Sequence, residues 1–391
     1  MTTDRIQEAL RASKLDGWLF FDHHHRDPLA YRILQLSESL HVSRRWYYFI
    51  PAHGEPQKLV HRIESGTLND LPGRCQLYSG WVEQQQKLAA MLSGCRRIAM
   101  QYSPNCAIPY VSLVDGGTLE LVRAAGVEIV SSADLVQQFE ARLSEAQFES
   151  HIEAGKRVDQ ILREAFELIG ERIRARNPLS EFDVYQFIRR RFEQSGLESD
   201  HGPIVAVNAN ASDPHYEPSA ERAAHIQCGD VVLIDLFAKL SQPGSVFYDI
   251  TWTGFCGETI PDRVQNIFEI VRDARKKATE LVIRKIGSGE RLAGFEVDDA
   301  ARCYIESHGL GEYFFHRTGH SIATEIHGTG ANMDNLESHD ERQILAGSCF
   351  SVEPGIYLPE FGIRSEVNMY VGDGFAKVTG EQQEQLVFMK A

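Results

Sequence analysis

CFSVEPGIYLPEFGIRSEVNMYV, residues 349–371, is the stretch whose reading decides the fold. It holds two apolar runs of strand type, Phe350 to Tyr357 and Gly362 to Val371, with a proline- and glycine-bearing connection between them. Each run carries a carboxylate, Glu353 and Glu366, where a buried strand would carry valine or isoleucine. A carboxylate is almost never fully buried unless it is paired or holds a metal. Two of them on neighbouring strands demand a partner from upstream.

That partner can be read from two further strand-like runs. Asp235 closes the β-favouring run Val231 to Ile234, and Asp249 shares an alternating face with Phe247, Thr251 and Thr253. The two aspartates are hairpin distance apart. Singly, each reads as a strand-end cap or an edge charge; four such positions on two hairpins do not. His316, His320 and His327 crowd one glycine-rich segment. His316 and His320 have the spacing of a zinc-binding helix, but Arg317 stands where a HExxH site needs its glutamate, and Gly319 argues against a helix. One imidazole among four carboxylates is hard, oxygen-rich ligation, which favours manganese, iron or cobalt and accepts zinc. Five side chains are too many for one catalytic ion and suit two ions that share carboxylate bridges.

The remaining chain frames this constellation. Its 391 residues are 43% hydrophobic with a net charge of −15, which argues against nucleic-acid or anionic-membrane partners. Seven unpatterned cysteines fit a reducing compartment, and no apolar run approaches the roughly 18 residues needed to cross a bilayer, so the cytoplasm is expected. Residues 1–143 read as an α/β layer domain. Its helices are expected at Arg5 to Lys14, Val82 to Leu92, Leu119 to Ala125 and from Ala133; its strands at Gly17 to Phe21, Trp46 to Pro51, Arg97 to Met100 and Val127 to Val130. His23, His24 and His25 precede a turn signal and read as loop. From 144 to 391 the texture is α+β. Ser144 with Gln147 and Ser180 with Asp183 have capping-box spacing, and each pair opens a helix. Strands follow, then helices near Asp262 to Lys285 and Val297 to Ser307, then the strands quoted above; this order hints at an internal duplication.

The order Asp235, Asp249, His320, Glu353, Glu366, in the contexts LIDL, YDITW, HRTGH, EPGIY and GIRSE, resembles the pita-bread metallopeptidases of the aminopeptidase P and prolidase group. The resemblance covers residues 145 to 391, and the first domain resembles the creatinase-type domain that precedes this fold. It implies a dinuclear centre in which Asp249 and Glu366 bridge, Asp235 serves one ion, and His320 with Glu353 serves the other. A water between the ions would attack the carbonyl before proline, and Glu353 would shuttle the proton. The resemblance also implies that His215, in DPHYEP, reaches toward the scissile region, that His327 contacts the attacked carbonyl, that His316 lines a proline pocket, and that Arg364 lies near the metals. The implied substrate is a small peptide with proline second, taken by a homodimer. Prolidase activity on dipeptides is the expected reading, with aminopeptidase P activity on longer peptides as its alternative. A metal-free creatinase-like hydrolase and a non-catalytic binding module are more distant, because both lack the full set of five. Ser321, Ala323, Gly328 and Val367 depart from the family pattern and bear on substrate detail.

Overall fold

The computed structural model describes residues 3–390, and the chain divides between Glu140 and Ala141 into two units. The first unit is a six-stranded sheet of order β4-β3-β2-β1-β5-β6. Its strands are β1 (Gly17–Asp22), β2 (Trp46–Pro51), β3 (Gln57–His61), β4 (Arg74–Tyr78), β5 (Arg97–Met100) and β6 (Glu128–Ser131). Helices α1 (Thr3–Ala12), α2 (Pro28–Leu34), α3 (Trp81–Met91), α4 (Gly116–Arg123) and α5 (Ala133–Glu140) complete it. Strand β1 is buried at every position because both faces are covered. Trp18 and Phe20 pack with Ile6, Leu10, Ile33 and Val136 on one side; Leu19 and Phe21 pack with Leu88, Met91, Leu119 and Val122 on the other.

Three elements of this unit escape the sequence reading, for local reasons. Helix α2 is only 7 residues long, and its start is set by Asp27, whose carboxylate accepts from the Ala30 N–H, with proline at the first position. Strand β3 carries Lys58 at a buried position, tolerated because its ammonium donates to the carbonyls of Leu68 and Leu71. Strand β4 is largely exposed and shows no apolar alternation. His23 to His25 form a loop after β1 in which His24 and His25 have φ of 61° and 55°.

The second unit opens with α6 (Glu145–Arg174) and α7 (Glu181–Gln194); both capping boxes form as their spacing predicts. β7 (Leu197–Glu198), β8 (Ile204–Val207), β9 (Val231–Leu240) and β10 (Tyr248–Gly257) follow, then α8 (Asp262–Gly287) and α9 (Gly294–Ser307). The last strands are β11 (Ser321–Ile322), β12 (Cys349–Val352), β13 (Gly355–Tyr357), β14 (Gly362–Arg364), β15 (Val367–Gly372), β16 (Phe375–Thr379) and β17 (Val387–Lys390). One sheet runs β17-β10-β9-β7 with β8 also on β9, a second runs β11-β12-β15-β16, and β13-β14 is a separate hairpin. Ala154, Val158, Ile161, Leu162 and Phe166 of α6 pack on the apolar side chains of β9 and β10. Val271, Ala274 and Ala278 of α8 pack with Ile356, Ile363, Val367 and Met369 of the later strands. Among the described residues no helix is long and apolar enough to cross a membrane.

Two expectations about the strands need correcting. Asp235 does not close its run: β9 continues to Leu240, so the aspartate stands in mid-strand. The two runs quoted at the outset are each broken at their glutamate, β12 and β13 by Glu353 and Pro354, β14 and β15 by Ser365 and Glu366. Pro354 has no N–H to give to a ladder, so pairing lapses there. At the break Glu353 N donates instead to Thr318 O at 2.7 Å, and Glu366 N to Thr251 O at 3.0 Å. Both carboxylates therefore leave from points where the sheet is open.

Candidate metal centre

The register of β9 against β10 pairs Asp235 with Thr251 and Phe237 with Asp249, which places both aspartates on one face. Asn368 on β15 fixes the second: its side chain accepts from Asp249 N at 3.0 Å and donates to Asp249 O at 2.6 Å. Thr251 Oγ1 donates to Glu366 Oε2 at 2.8 Å. Arg364 then ties three elements together. Its guanidinium donates to Asp235 Oδ2 at 2.5 Å, Thr251 Oγ1 at 3.0 Å and the Tyr357 hydroxyl at 3.1 Å.

The histidine side is held from α9. Asp298 and Arg302 form a buried pair. Asp298 accepts from Thr318 N and Oγ1, while Arg302 donates to the carbonyls of Phe314 and His316. Gly319 is required because a Cβ there would lie 1.9 Å from Ser351 O. His320 N donates to Ser351 Oγ, which donates to Glu353 Oε1 at 3.0 Å. His320 Nε2 lies 3.4 Å from both Asp249 Oδ2 and Glu353 Oε1.

Donor atoms of Asp249, His320 and Glu366 all lie within 4.8 Å of one another, and all three residues are buried. Glu353 joins them through His320, and Asp235 through Arg364. Asp235 Oδ1 and Glu366 Oε1 are buried without any hydrogen-bond partner. His320 Nδ1 is 3.2 Å from Ser321 O, a contact that holds the ring with Nε2 toward the carboxylates. Two partnerless carboxylate oxygens and an imidazole lone pair, converging in a buried site, fit divalent cations.

The electrostatics agree. Burial, with the charges of Asp249 and Glu353, pushes Asp235 up to about 7 against the pull of Arg364. Burial raises Asp249 as well, and burial with the charges of Asp249, Glu353 and Asp235 raises Glu366 well above the usual range. For Glu353 burial is outweighed by His320, His316 and Arg364, and its pKa falls. Burial alone would lower His320, but the hydrogen bond it donates to Asp249 and the charges of Glu353 and Asp249 leave it raised. Without a cation, burial favours the protonated forms of Asp235, Asp249 and Glu366, while Glu353 is balanced by His320, His316 and Arg364.

The other expected positions are less uniform. The His327 ring is 4.4 Å from that of His320 at 78°; its outer edge is exposed, and loss of solvation, then His320 and Arg317, lower its pKa. His215 is exposed on a turn and lies close enough to disfavour protonation of His327. His316 is confined: Nδ1 is 2.7 Å from Arg317 O, Nε2 is 2.7 Å from the Tyr357 hydroxyl, and burial holds its pKa near 4. With both nitrogens engaged, it can offer a substrate only its ring. Tyr357, Thr251 and Asn368 were not singled out from the sequence. Only Thr251 gave a signal, by alternation with Asp249. A cavity of about 310 Å³ between α6 and β17, lined by Phe166, Trp252 and Phe388 among others, shares none of these residues.

The sequence model of Metallopeptidase family M24 matches residues 149–373. An Xaa-Pro dipeptidase of Lactobacillus delbrueckii subsp. lactis is 30% identical over 233 residues, 59% of this chain and 58% of that protein. The chain spans about half the length of the curated relatives it matches. The crystal structure of dipeptidase PepE from Mycobacterium ulcerans aligns with TM-score 0.70 at 23% identity, over 100% of this chain and 97% of that one. Prolidase from Pyrococcus horikoshii OT3 aligns with TM-score 0.62 at 23% identity, over 98% and 99%. These two likenesses show the shared fold, the pita-bread arrangement expected above.

Proposed function

The chain belongs to metallopeptidase family M24, and on that premise we propose that it is an Xaa-Pro dipeptidase, hydrolysing the bond between an N-terminal residue and a C-terminal proline. The observation that carries the reading is the buried convergence of Asp249, His320 and Glu366 within 4.8 Å, beside partnerless oxygens of Asp235 and Glu366. Asp235, Asp249, His320, Glu353 and Glu366 would hold two divalent ions, manganese foremost, with cobalt, zinc or iron accepted. Bound ions of this kind polarise a carbonyl and bring the pKa of water toward neutrality.

The chain's own groups supply the rest. Glu353, its pKa lowered, is ionised at neutral pH and can take a proton and deliver it to the proline nitrogen, a poor leaving group until protonated. His327, held neutral, donates a hydrogen bond to the developing oxyanion, an interaction stronger in the transition state than in the ground state. His215 faces the proline side. Arg364 fixes the orientation of Asp235. The dipeptide preference follows the named activity of the Lactobacillus relative. A cytoplasmic homodimer completes the reading: all seven cysteines are free, as a reducing compartment allows, and the resemblance implies the dimer.

The test is hydrolysis of Ala-Pro against Ala-Pro-Ala with manganese, cobalt or zinc supplied. Rapid cleavage of the dipeptide alone is expected. Comparable cleavage of the tripeptide would replace the dipeptidase by an Xaa-Pro aminopeptidase. Cleavage of neither, with well under one ion per chain after manganese loading, would remove the peptidase reading altogether.

A further inference from the structure

Glu181, in the first turn of α7, is a fully buried carboxylate outside the candidate centre. It accepts from Val207 N at 2.7 Å, Asn210 Nδ2 at 2.9 and 3.1 Å, the Tyr216 hydroxyl at 2.6 Å and Ala224 N at 2.7 Å. A carboxylate has about four acceptor sites, so this one is saturated. Its donors come from the beginning, the middle and the end of residues 207–224. After Val207, where β8 ends, that segment contains a single short 3-10 turn, Asn208–Ser212, and no further strand or α-helix. It carries His215, next to Tyr216.

The turn is braced from its other side as well. Ser212 Oγ donates to Leu358 O, and Ala211 O lies against Gly362, where a Cβ would sit 1.9 Å from it. Leu358 and Gly362 flank the loop of the β13–β14 hairpin, which carries Tyr357 and Arg364. The segment is thus clamped between Glu181 and the hairpin that contacts Asp235. A loop without a ladder of its own opens locally unless such anchors hold it.

We infer that Glu181 is a positioning residue for substrate recognition: through the Tyr216 hydroxyl it fixes the turn that presents His215 beside His327. This rests on the proposed dipeptidase reading for the role of His215, but not for the clamp. Glu181 touches no substrate. Its effect on the reaction passes through one hydrogen bond to the neighbour of His215.

Tyr216→Phe isolates that bond. The ring remains packed with Ile204, Ala206, Ala211 and Leu233, so the fold is kept while the hydroxyl is removed. A lost hydrogen bond to a charged group corresponds to roughly tenfold or more in an equilibrium. Tyr216→Phe should therefore raise KM for Ala-Pro about tenfold, leave kcat within about twofold and leave manganese content unchanged. In a His215→Ala background the same change should add nothing further. Glu181→Gln, which turns an amide N–H toward a ring of donors, should have the larger effect in the same direction. Hydrogen exchange gives a readout that does not depend on activity: backbone amides of 213–217 should exchange about tenfold faster in Tyr216→Phe, with those of β9 and β10 unchanged.

Unaltered KM, or additive effects of Tyr216→Phe and His215→Ala, would overturn the inference. So would unchanged exchange at 213–217, whatever the substrate. Failure of the wild-type chain to cleave any Xaa-Pro peptide would instead remove the functional reading, while the exchange measurement still decides whether Glu181 sets the turn.

Discussion

Asp22 in the first unit and Glu366 in the second are both carboxylates at strand margins, 0% and 1% exposed, and they are treated in opposite ways. Asp22 ends β1, and the chain curls around it. Its oxygens accept from the backbone N–H groups of His25, Arg26 and Asp27 and from the Tyr31 hydroxyl. Glu366 stands in the gap between β14 and β15 with one side-chain donor, Thr251, and one oxygen that receives nothing. Burying a charge is tolerable only when its lone pairs are filled. Where a carboxylate serves the fold, this chain fills them itself. Where they are left open, among three other carboxylates, the missing partner is a cation.

The largest test exchanges the two roles. Asp249→Asn should lower activity about a thousandfold or more, since several kcal/mol of charge stabilisation depend on the ions it would bridge. It should also weaken binding of both ions, read by metal analysis after manganese loading. The stability of the metal-free protein should not fall, because burial already favours the uncharged side chain at this position and asparagine supplies one. Asp22→Asn should do the reverse: about 1–3 kcal/mol lost in urea unfolding, with activity per folded molecule retained. If both substitutions lower metal-free stability alike, the distinction between filled and open carboxylates fails.

Arg364→Lys probes the boundary between the two treatments. The guanidinium satisfies Asp235, Thr251 and Tyr357 at once, whereas an ammonium keeps the charge but cannot span the three. Residues that orient metal ligands typically cost 10–100-fold when changed. A loss of roughly that size is expected in kcat/KM, accompanied by weaker binding of one manganese. A lysine variant within twofold of the parent would mean that charge alone matters at this position.

The grouping of the five positions was legible because acidic residues in apolar strands break a strong expectation about burial. The two capping boxes were legible because the interaction is local, Ser144 with Gln147 and Ser180 with Asp183. What the sequence did not disclose depends on contacts between residues far apart in the chain. Asn368 finds the backbone of Asp249 across 119 positions, and Glu181 finds Tyr216 across 35. Such residues are of ordinary type in ordinary contexts, and only the folded register gives them a role. The strand breaks at Glu353 and Glu366 were hidden for a different reason. Apolar residues continue on both sides, so composition reads as one run where Pro354 and the pull of Thr318 and Thr251 interrupt the ladder.

The most direct measure of the open carboxylates is the pH dependence of metal binding. Asp235 is raised to about 7, and Asp249, Glu366 and His320 are raised in the same direction. Below about 7 Asp235 of the metal-free protein carries a proton that an incoming ion must displace, and the raised groups beside it act in the same sense, so affinity falls as pH falls. The metal-free native state also holds Asp235 protonated between 3.8 and about 7, where an unfolded chain does not, so this residue withdraws stability as pH rises through that window. A bound cation favours the ionised form and reverses that sign. Stabilisation by manganese, measured as the difference between loaded and metal-free protein, should therefore grow from pH 5 to 7, by about tenfold in affinity per pH unit for each proton displaced. His151, buried beside Phe247 O and Thr379 with a pKa near 4, is neutral in the folded protein over that range, loaded or metal-free, and its contribution cancels in the difference. Asp235→Asn, which removes the group raised to about 7, should flatten the slope by up to one proton. An affinity that stays level from pH 5 to 7 would mean that these oxygens are already ionised without metal, and that something other than a cation fills them.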